Sequence, residues 1–461
     1  MSLKVMRINY LLGLVFISLQ GFSQELPAFK PLRYDEDYSF LKRDTVKDWY
    51  KSIKYTPLSK NENRYISYGG DLRYQYFYIR HEGWGEEPED RDGYILTRWL
   101  LHADVHAGRH VRTFVQLQSS LANSRPATNA VDDNPLEMHQ AFIDYQVNSG
   151  AQNKLIFRAG RQELLYGSQR LVSVREGPNN RHSFDGLRSI FVSGSFKADL
   201  FYSHYVVARK KIFDDGFGKD VRLWGAYIVQ NKVRVVKNIE LYYLGLHRKN
   251  AVFDAGKGEE LRHSIGTRIW NANQATQYDL EAVCQFGTFA QQPISAWTAS
   301  MNVSHRFHRS PLQPEAGLKM ELISGDKDAA DGRLQTFNPL FPRGAYFGLA
   351  ALIGPYNLFD VHPSLSLKLL RRLSFETDCD VFWRYSTGDG LYAVNGTLIY
   401  PGKHIAKKYI GKQLAAALVY NPNGYFFVQG EFTWFDAGGY LQQAGMGKDI
   451  LFTGVTAQVK F

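Results

Sequence analysis

From residue 65 to the end of the chain, apolar and polar side chains alternate with a period of two. In "YISYGGDLRYQYFYI" (65–79), Ile66, Tyr68, Leu72, Tyr74, Tyr76 and Tyr78 share one face; Ser67, Asp71, Arg73 and Gln75 share the other. "VRTFVQLQSS" (111–120) sets Val111, Thr113, Val115 and Leu117 against Arg112, Phe114, Gln116 and Gln118. "LSFETDCDVFWRY" (373–385) opposes Leu373, Phe375, Cys379, Val381, Trp383 and Tyr385 to Ser374, Glu376, Asp378, Asp380 and Arg384. The closing "LFTGVTAQVKF" puts Val455, Ala457, Val459 and Phe461 against Thr456, Gln458 and Lys460. This is the pattern of β-strands with one apolar and one strongly polar face.

A soluble sandwich would bury such apolar faces in a core; a membrane barrel turns them to lipid and lines a lumen with the polar ones. Runs of about ten residues match a tilted membrane strand. They recur without a domain break, carry both signs of charge on the polar face, and end on an aromatic, Phe461. The expectation is an all-β chain: a single closed antiparallel transmembrane β-barrel of about 18 strands over residues 65–461, a size that leaves an aqueous channel. Tight turns are predicted at "AGRH" (107–110) and "NPNGY" (421–425). The polar stretches 81–93, 122–137, 323–344 and 388–408 read as loops, which in such barrels lie mainly outside.

The N-terminus supplies the route to a membrane. Residues 1–23 have basic Lys4 and Arg7, the apolar "LLGLVFISL", and small Gly21 and Ser23, which is the pattern of a cleaved secretory signal peptide. Residues 24–64 are polar, hold Pro27, Pro31 and Pro57, and form a lead-in that is periplasmic or tucked into the lumen. Two cysteines, Cys284 and Cys379, exclude a disulfide framework. A formal charge of +10 on an exported chain points to anionic solutes, polysaccharides or lipid headgroups, and away from nucleic acid.

The charge is concentrated in "FRAGRQELLYGSQRLVSVREGPNNRHSFDGLRSIF" (157–191), with arginines at 158, 161, 170, 175, 181 and 188. Parity turns Arg158 and Gln162 inward, as it does Arg112, and Arg98, His102 and Asp104 of "YILTRWLLHADVH". Arg161 breaks the parity and belongs at a strand end or bulge. Arg170, Arg181 and Arg188 lie near the "YGSQR" and "NNRHSFDG" turns, and Gly160 and Gly167 serve turns or close backbone approach. A guanidinium stays charged at any relevant pH and binds carboxylates in bidentate fashion. Such arginines either handle an anionic solute or brace the wall against Asp71, Asp104, Asp144, Asp185 and Glu163.

Three blocks resemble the alginate export family of outer-membrane barrels: "LTRWLLHADVHAGRHVRTFVQLQSS" (96–120) with "NPLEMHQAFIDY" (134–145); "FRAGRQELLYGSQRLV" with "NNRHSFDGLR"; and "SGDKDAADGRLQTFNPLFPRGAYFG" (324–348) with "GPYNLFDVHPSL" (354–365). The resemblance implies an 18-stranded monomeric barrel with a cationic lumen that conducts an anionic polysaccharide. The lumen candidates are Arg98, Arg112, Arg158, Arg161, Arg170, Arg181, Arg188, Asp104, Asp185, Lys319 and Arg384.

Two other readings stay open: a general or small-anion porin, and a barrel with a surface-binding or structural role. No catalytic set, cofactor motif or metal motif appears. The acidic "GDKDAAD" (325–331), with Asp326, Asp328 and Asp331, lacks the full calcium-loop pattern and reads as a solvated loop. His102 and His106 share a strand face about 13 Å apart, too far for one metal.

Overall fold

The computed structural model describes residues 28–44, 48–60, 64–125, 130–149, 153–272 and 274–461. The expected signal peptide lies outside them, as does the start of the lead-in. Of these, residues 28–36 belong to one unit, with a 3-10 turn at Arg33–Asp35; Asp37–Phe461 form the other.

Alternation becomes strand throughout the second unit. In chain order the strands are β1 (Thr56–Pro57), β2 (Arg64–Arg80), β3 (Tyr94–Ala107), β4 (Val111–Asn123), β5 (Asn134–Ser149), β6 (Asn153–Gln162) and β7 (Phe184–Ser193). Next come β8 (Phe196–Val207), β9 (Gly216–Val233), β10 (Lys237–Phe253), β11 (Gly256–Trp270), β12 (Thr276–Phe289), β13 (Gln292–Arg306) and β14 (Glu315–Ile323). The last are β15 (Leu358–Leu370), β16 (Leu373–Arg384), β17 (Leu391–Tyr392), β18 (Leu398–Tyr400), β19 (Tyr409–Tyr420), β20 (Phe426–Ala437) and β21 (Ile450–Lys460).

Eighteen of them, β2–β16 and β19–β21, pair antiparallel, each with its neighbour. β21 closes the ring on β2, from Asp71↔Lys460 to Arg80↔Leu451. Closure removes every sheet edge, which a hydrocarbon environment demands. The faces are those read from the alternation: in β4, Phe114, Gln116, Gln118 and Ser120 are buried inside while Val115 and Leu117 face out, and outward Val455 is half exposed.

The turns 108–110 and 421–425 leave one end of the ring; the connections 81–93, 163–183, 324–357, 385–408 and 438–449 leave the other, together with the two-residue turns 254–255 and 290–291. At the short-turn end the helix Trp49–Lys54 packs on the first strand of the wall. Tyr55 stacks on Tyr65 with ring centroids 4.6 Å apart, Tyr50 meets Tyr425, and Thr56–Pro57 pairs with Tyr65–Ile66.

The long connections depart from expectation. Residues 163–183 and 324–357 fold inward, and Val172 pairs with Phe341. Their backbones are satisfied by lumenal side chains: Arg262 donates to the Thr336 carbonyl (3.1 Å), Gln285 to Asn338 (2.7 Å), Arg248 to Leu340 (3.1 Å) and Gln413 to Phe347 (2.8 Å). Leu164, Leu171, Leu334, Phe337 and Leu340 are buried among lumenal Tyr227, Tyr242 and Leu244. Connections this apolar are driven out of water like any core, at roughly 25 cal/mol per Å² buried. Asp326 follows them: it is buried, not solvated, and its backbone N–H donates to Asp389 (2.9 Å). Asp328 and Asp331 remain exposed.

Candidate functional site

Register sets arginine against arginine twice. Arg73 on β2 lies directly opposite Arg98 on β3, and Arg158 on β6 opposite Arg188 on β7. Like charges directly opposed are destabilising, so each pair needs carboxylates. Arg158 binds Asp144 in bidentate fashion at 2.7 and 2.8 Å, and Arg188 binds Asp199 at 2.7 Å. Arg188 is thus a mid-strand lumenal residue and not a turn residue: β7 begins at Phe184, so the turn ends earlier than the sequence suggested.

The first pair converges on Glu176, in the inward 163–183 connection. Its carboxylate accepts from Arg73 (3.0 Å) and Arg98 (2.6 Å) and lies 3.5 Å from Arg181. Burial alone would raise the Glu176 pKa, but the guanidiniums of Arg98, Arg181 and Arg73 outweigh it and hold the carboxyl well below the usual range. The three arginines are buried, whereas the Glu176 side chain is 45% exposed. The group facing the lumen is therefore the carboxylate, with three cations behind it. Arg181 also meets Glu163 (3.0 Å), which accepts or shares a proton with His139 at 2.8 Å.

All five carboxylates singled out in the sequence are partners. Asp71 lies 3.8 Å from Arg98; Asp104 takes Arg112 at 2.7 Å through two nitrogens; Asp144 takes Arg158; Asp185 takes Arg161 at 2.9 and 3.2 Å; Glu163 takes Arg181. Arg161 is the penultimate residue of its strand. It follows Gly160, whose φ of 129° and backbone contact leave no room for a side chain: a Cβ there would meet the Ala141 carbonyl oxygen at 2.3 Å.

Arg170 reaches across the lumen to Glu281 (3.2 Å) and Glu321. Burial disfavours its charge, but Glu321, Tyr346 and Glu281 outweigh that and raise its pKa. Lys319 lies 3.5 Å from Glu321 and over the Tyr346 and Phe347 rings. Arg384 does something else. It is buried and donates to the carbonyls of Thr387, Asp389, Gly402, Ile405 and Lys407, so it holds the 385–408 connection.

Sequence reasoning missed Glu176 as the meeting point and Arg73 as a member of the group. Arg73 was visible on the polar face of its strand, but Glu176 sits in a segment without periodicity. The lumen also has an acidic wall on the opposite strands: Glu321, Asp360, Asp378, Asp380 and Glu431, on β14 to β20.

An eighteen-stranded ring with an apolar outer surface and a charged lumen defines a transport pore of the bacterial outer membrane, porin-like in fold. The chain belongs to the alginate export family, whose model matches residues 64–445. No curated protein matches it. Among solved structures it is similar to Pseudomonas aeruginosa OpdO, with 11% identity, TM-score 0.55, and 86% of this chain and 97% of that one covered. A BenF-like porin from Pseudomonas fluorescens Pf-5 gives 7% identity, TM-score 0.57, and 86% and 98% coverage. Pseudomonas aeruginosa OccK2 (OpdF), crystallised in complex with glucuronate, gives 10% identity, TM-score 0.54, and 86% and 98% coverage.

Proposed function

We propose that the barrel passes an anionic oligosaccharide or polysaccharide, alginate-like in bearing a carboxylate on each sugar, along its arginine wall. The observation carrying this reading is the twice-opposed arginine arrangement, Arg73/Arg98 and Arg158/Arg188, continued towards the short-turn end by Arg112. Wall carboxylates hold these guanidiniums in place. Passage needs contacts that are weak and repeated. The family's description and the glucuronate bound to OccK2 support the same solute class. In this reading the chain is exported by cleavage after Ser23, works as a monomer, and uses residues 24–64 as a lead-in outside the wall.

A second reading, a small-anion porin, draws on a different observation: the inward connections 163–183 and 324–357 take up lumen space that a polymer needs. Planar-bilayer recording decides between them. Anion selectivity at low salt with current block that grows with polyuronate length supports the polysaccharide reading. Anion selectivity with equal block by monomeric uronate supports the second. Cation selectivity with no block by polyuronate defeats both.

A further inference from the structure

Opposite the arginines, β15 and β16 bring three metal-ligating side chains together. His362 is clamped between two carboxylates, with Nδ1 2.7 Å from Asp380 Oδ1 and Nε2 3.2 Å from Asp378 Oδ1. The ligating atoms of these three residues lie within 4.8 Å of one another. Asp360 precedes His362 by two positions and so shares its lumenal face. Asp360 and Asp380 are fully buried, and apart from the His362 contact at Asp380 Oδ1 their carboxylate oxygens have no hydrogen-bond partner among the described residues.

Buried carboxylates require a cation, a donor or a proton. The nearby cation, Lys319, is opposite His362 in register and is shared with Glu321, which itself lies opposite Asp360. That leaves Asp378 and Asp380 on the two nitrogens of one imidazole, with Asp360 buried on the same strand face.

We infer that His362, Asp378 and Asp380, with the fully buried Asp360 two positions along the same strand, form a binding site for a divalent transition-metal ion on the lumenal wall. One imidazole among carboxylates is a donor set for Zn²⁺ or Mn²⁺, whereas an all-oxygen set suits Ca²⁺ or Mg²⁺. A Zn²⁺ ion takes the place of the imidazolium proton. The Nδ1–Asp380 separation then opens from 2.7 Å to the about 3.3 Å that separates neighbours around a tetrahedral ion, and Asp378, whose ligating atom lies within 4.8 Å of the others, closes on it. His362 and Asp378 are partly exposed to the lumen, which gives the ion an entry path. Bound there, the ion cancels negative charge on the wall facing the arginines. The site stands independently of which solute the pore carries.

The test is calorimetric titration of ZnCl₂ into the chelator-treated, detergent-solubilised barrel at neutral pH. One equivalent should bind with micromolar or tighter affinity. Asp378→Asn and Asp380→Asn should each weaken it by about tenfold or more, while Glu376→Gln, an acidic residue outside the cluster on the same strand, should leave it unchanged. Folding of each variant is checked by the heat-dependent shift in electrophoretic mobility. If Asp380→Asn does not fold, the partly exposed Asp378 carries the test. Visible absorption of bound Co²⁺, lost in His362→Ala, should report direct nitrogen ligation. Absence of Zn²⁺ binding, or binding equal in the parent and Asp378→Asn, overturns the site and leaves a proton-bridged imidazolium in its place.

Discussion

Replacing Glu176 with glutamine removes one negative charge from the point where Arg73, Arg98 and Arg181 converge, and keeps an oxygen that accepts hydrogen bonds. The connection bearing it should stay in place. Asn179 anchors it separately by donating to the carbonyls of Thr97, Leu121 and Asp132 at 2.9 to 3.1 Å. A unit charge acts on an ion about 5 Å away with about 0.8 kcal/mol in water. Screening reduces this to about 0.5 kcal/mol at 0.1 M salt and about 0.15 kcal/mol at 1 M, for Debye lengths of ~10 and ~3 Å. The substitution favours an anion and disfavours a cation by that amount, so the local anion-to-cation ratio should rise about fivefold at 0.1 M and less than about twofold at 1 M. Reversal potentials of single channels in a salt gradient measure this directly. An unchanged potential at low salt, a shift towards cations, or an equal shift at both salt levels would refute the reasoning.

Three further outcomes are expected. Val455→Arg places a charge on the lipid face and should cost roughly 2–4 kcal/mol if near the midplane; denaturant unfolding in liposomes at the parent's midpoint would contradict the facing. Phe341 packs on Phe184 (5.0 Å), Tyr205 (5.4 Å) and His182 (5.6 Å), so Phe341→Ala should cost about 3–5 kcal/mol. Hydrogen exchange should then speed up in both 163–183 and 324–357 while the strands stay protected; acceleration in only one would show that the two do not support each other. Burial and Asp389 raise the Asp326 pKa from 3.8 to about 6. The folded chain therefore binds this proton more tightly than the unfolded one, and the contact between 324–357 and 385–408 gains stability as pH falls from above 6 towards 4, with no further gain below. Proteolysis within 385–408 should be slower at the acid end of that range, and Asp326→Asn should abolish the difference.

The ring was legible because strand alternation is local: the faces of Tyr74, Val115 and Val455 follow from their immediate neighbours. The arginine–carboxylate pairs were legible in part for the same reason, since parity turned Arg112 and Asp104, or Arg158 and Asp144, to one side. What parity cannot give is register, so the opposition of Arg73 to Arg98 had no sequence signal. Nor can it give the path of a segment without period. Phe337 and Phe341 read as scattered apolar residues in a polar loop. Their inward course depends on Arg262, Gln285 and Gln413, which belong to strands far away in sequence. Arg384 was misread for a related cause: a lumenal guanidinium looks the same from sequence whether it faces solute or a ring of backbone carbonyls.

The pairing of Val172 with Phe341 has a topological consequence. One segment springs from between β6 and β7, the other from between β14 and β15, so their junction is a chord drawn across the ring. It divides the wall into an arc of eight strands, β7 to β14, and an arc of ten. Against the smaller arc the chord's own side chains pack with Tyr227, Tyr242 and Leu244. The larger arc carries Arg73, Arg98, Arg112 and Arg158 at one side and Asp360, Asp378 and Asp380 at the other. The opposed pair Arg158/Arg188 straddles the chord's root, with one arginine on each arc. The chord joins residues 169 positions apart, so a single bridge ties the connection entering the eight-strand arc to the connection leaving it.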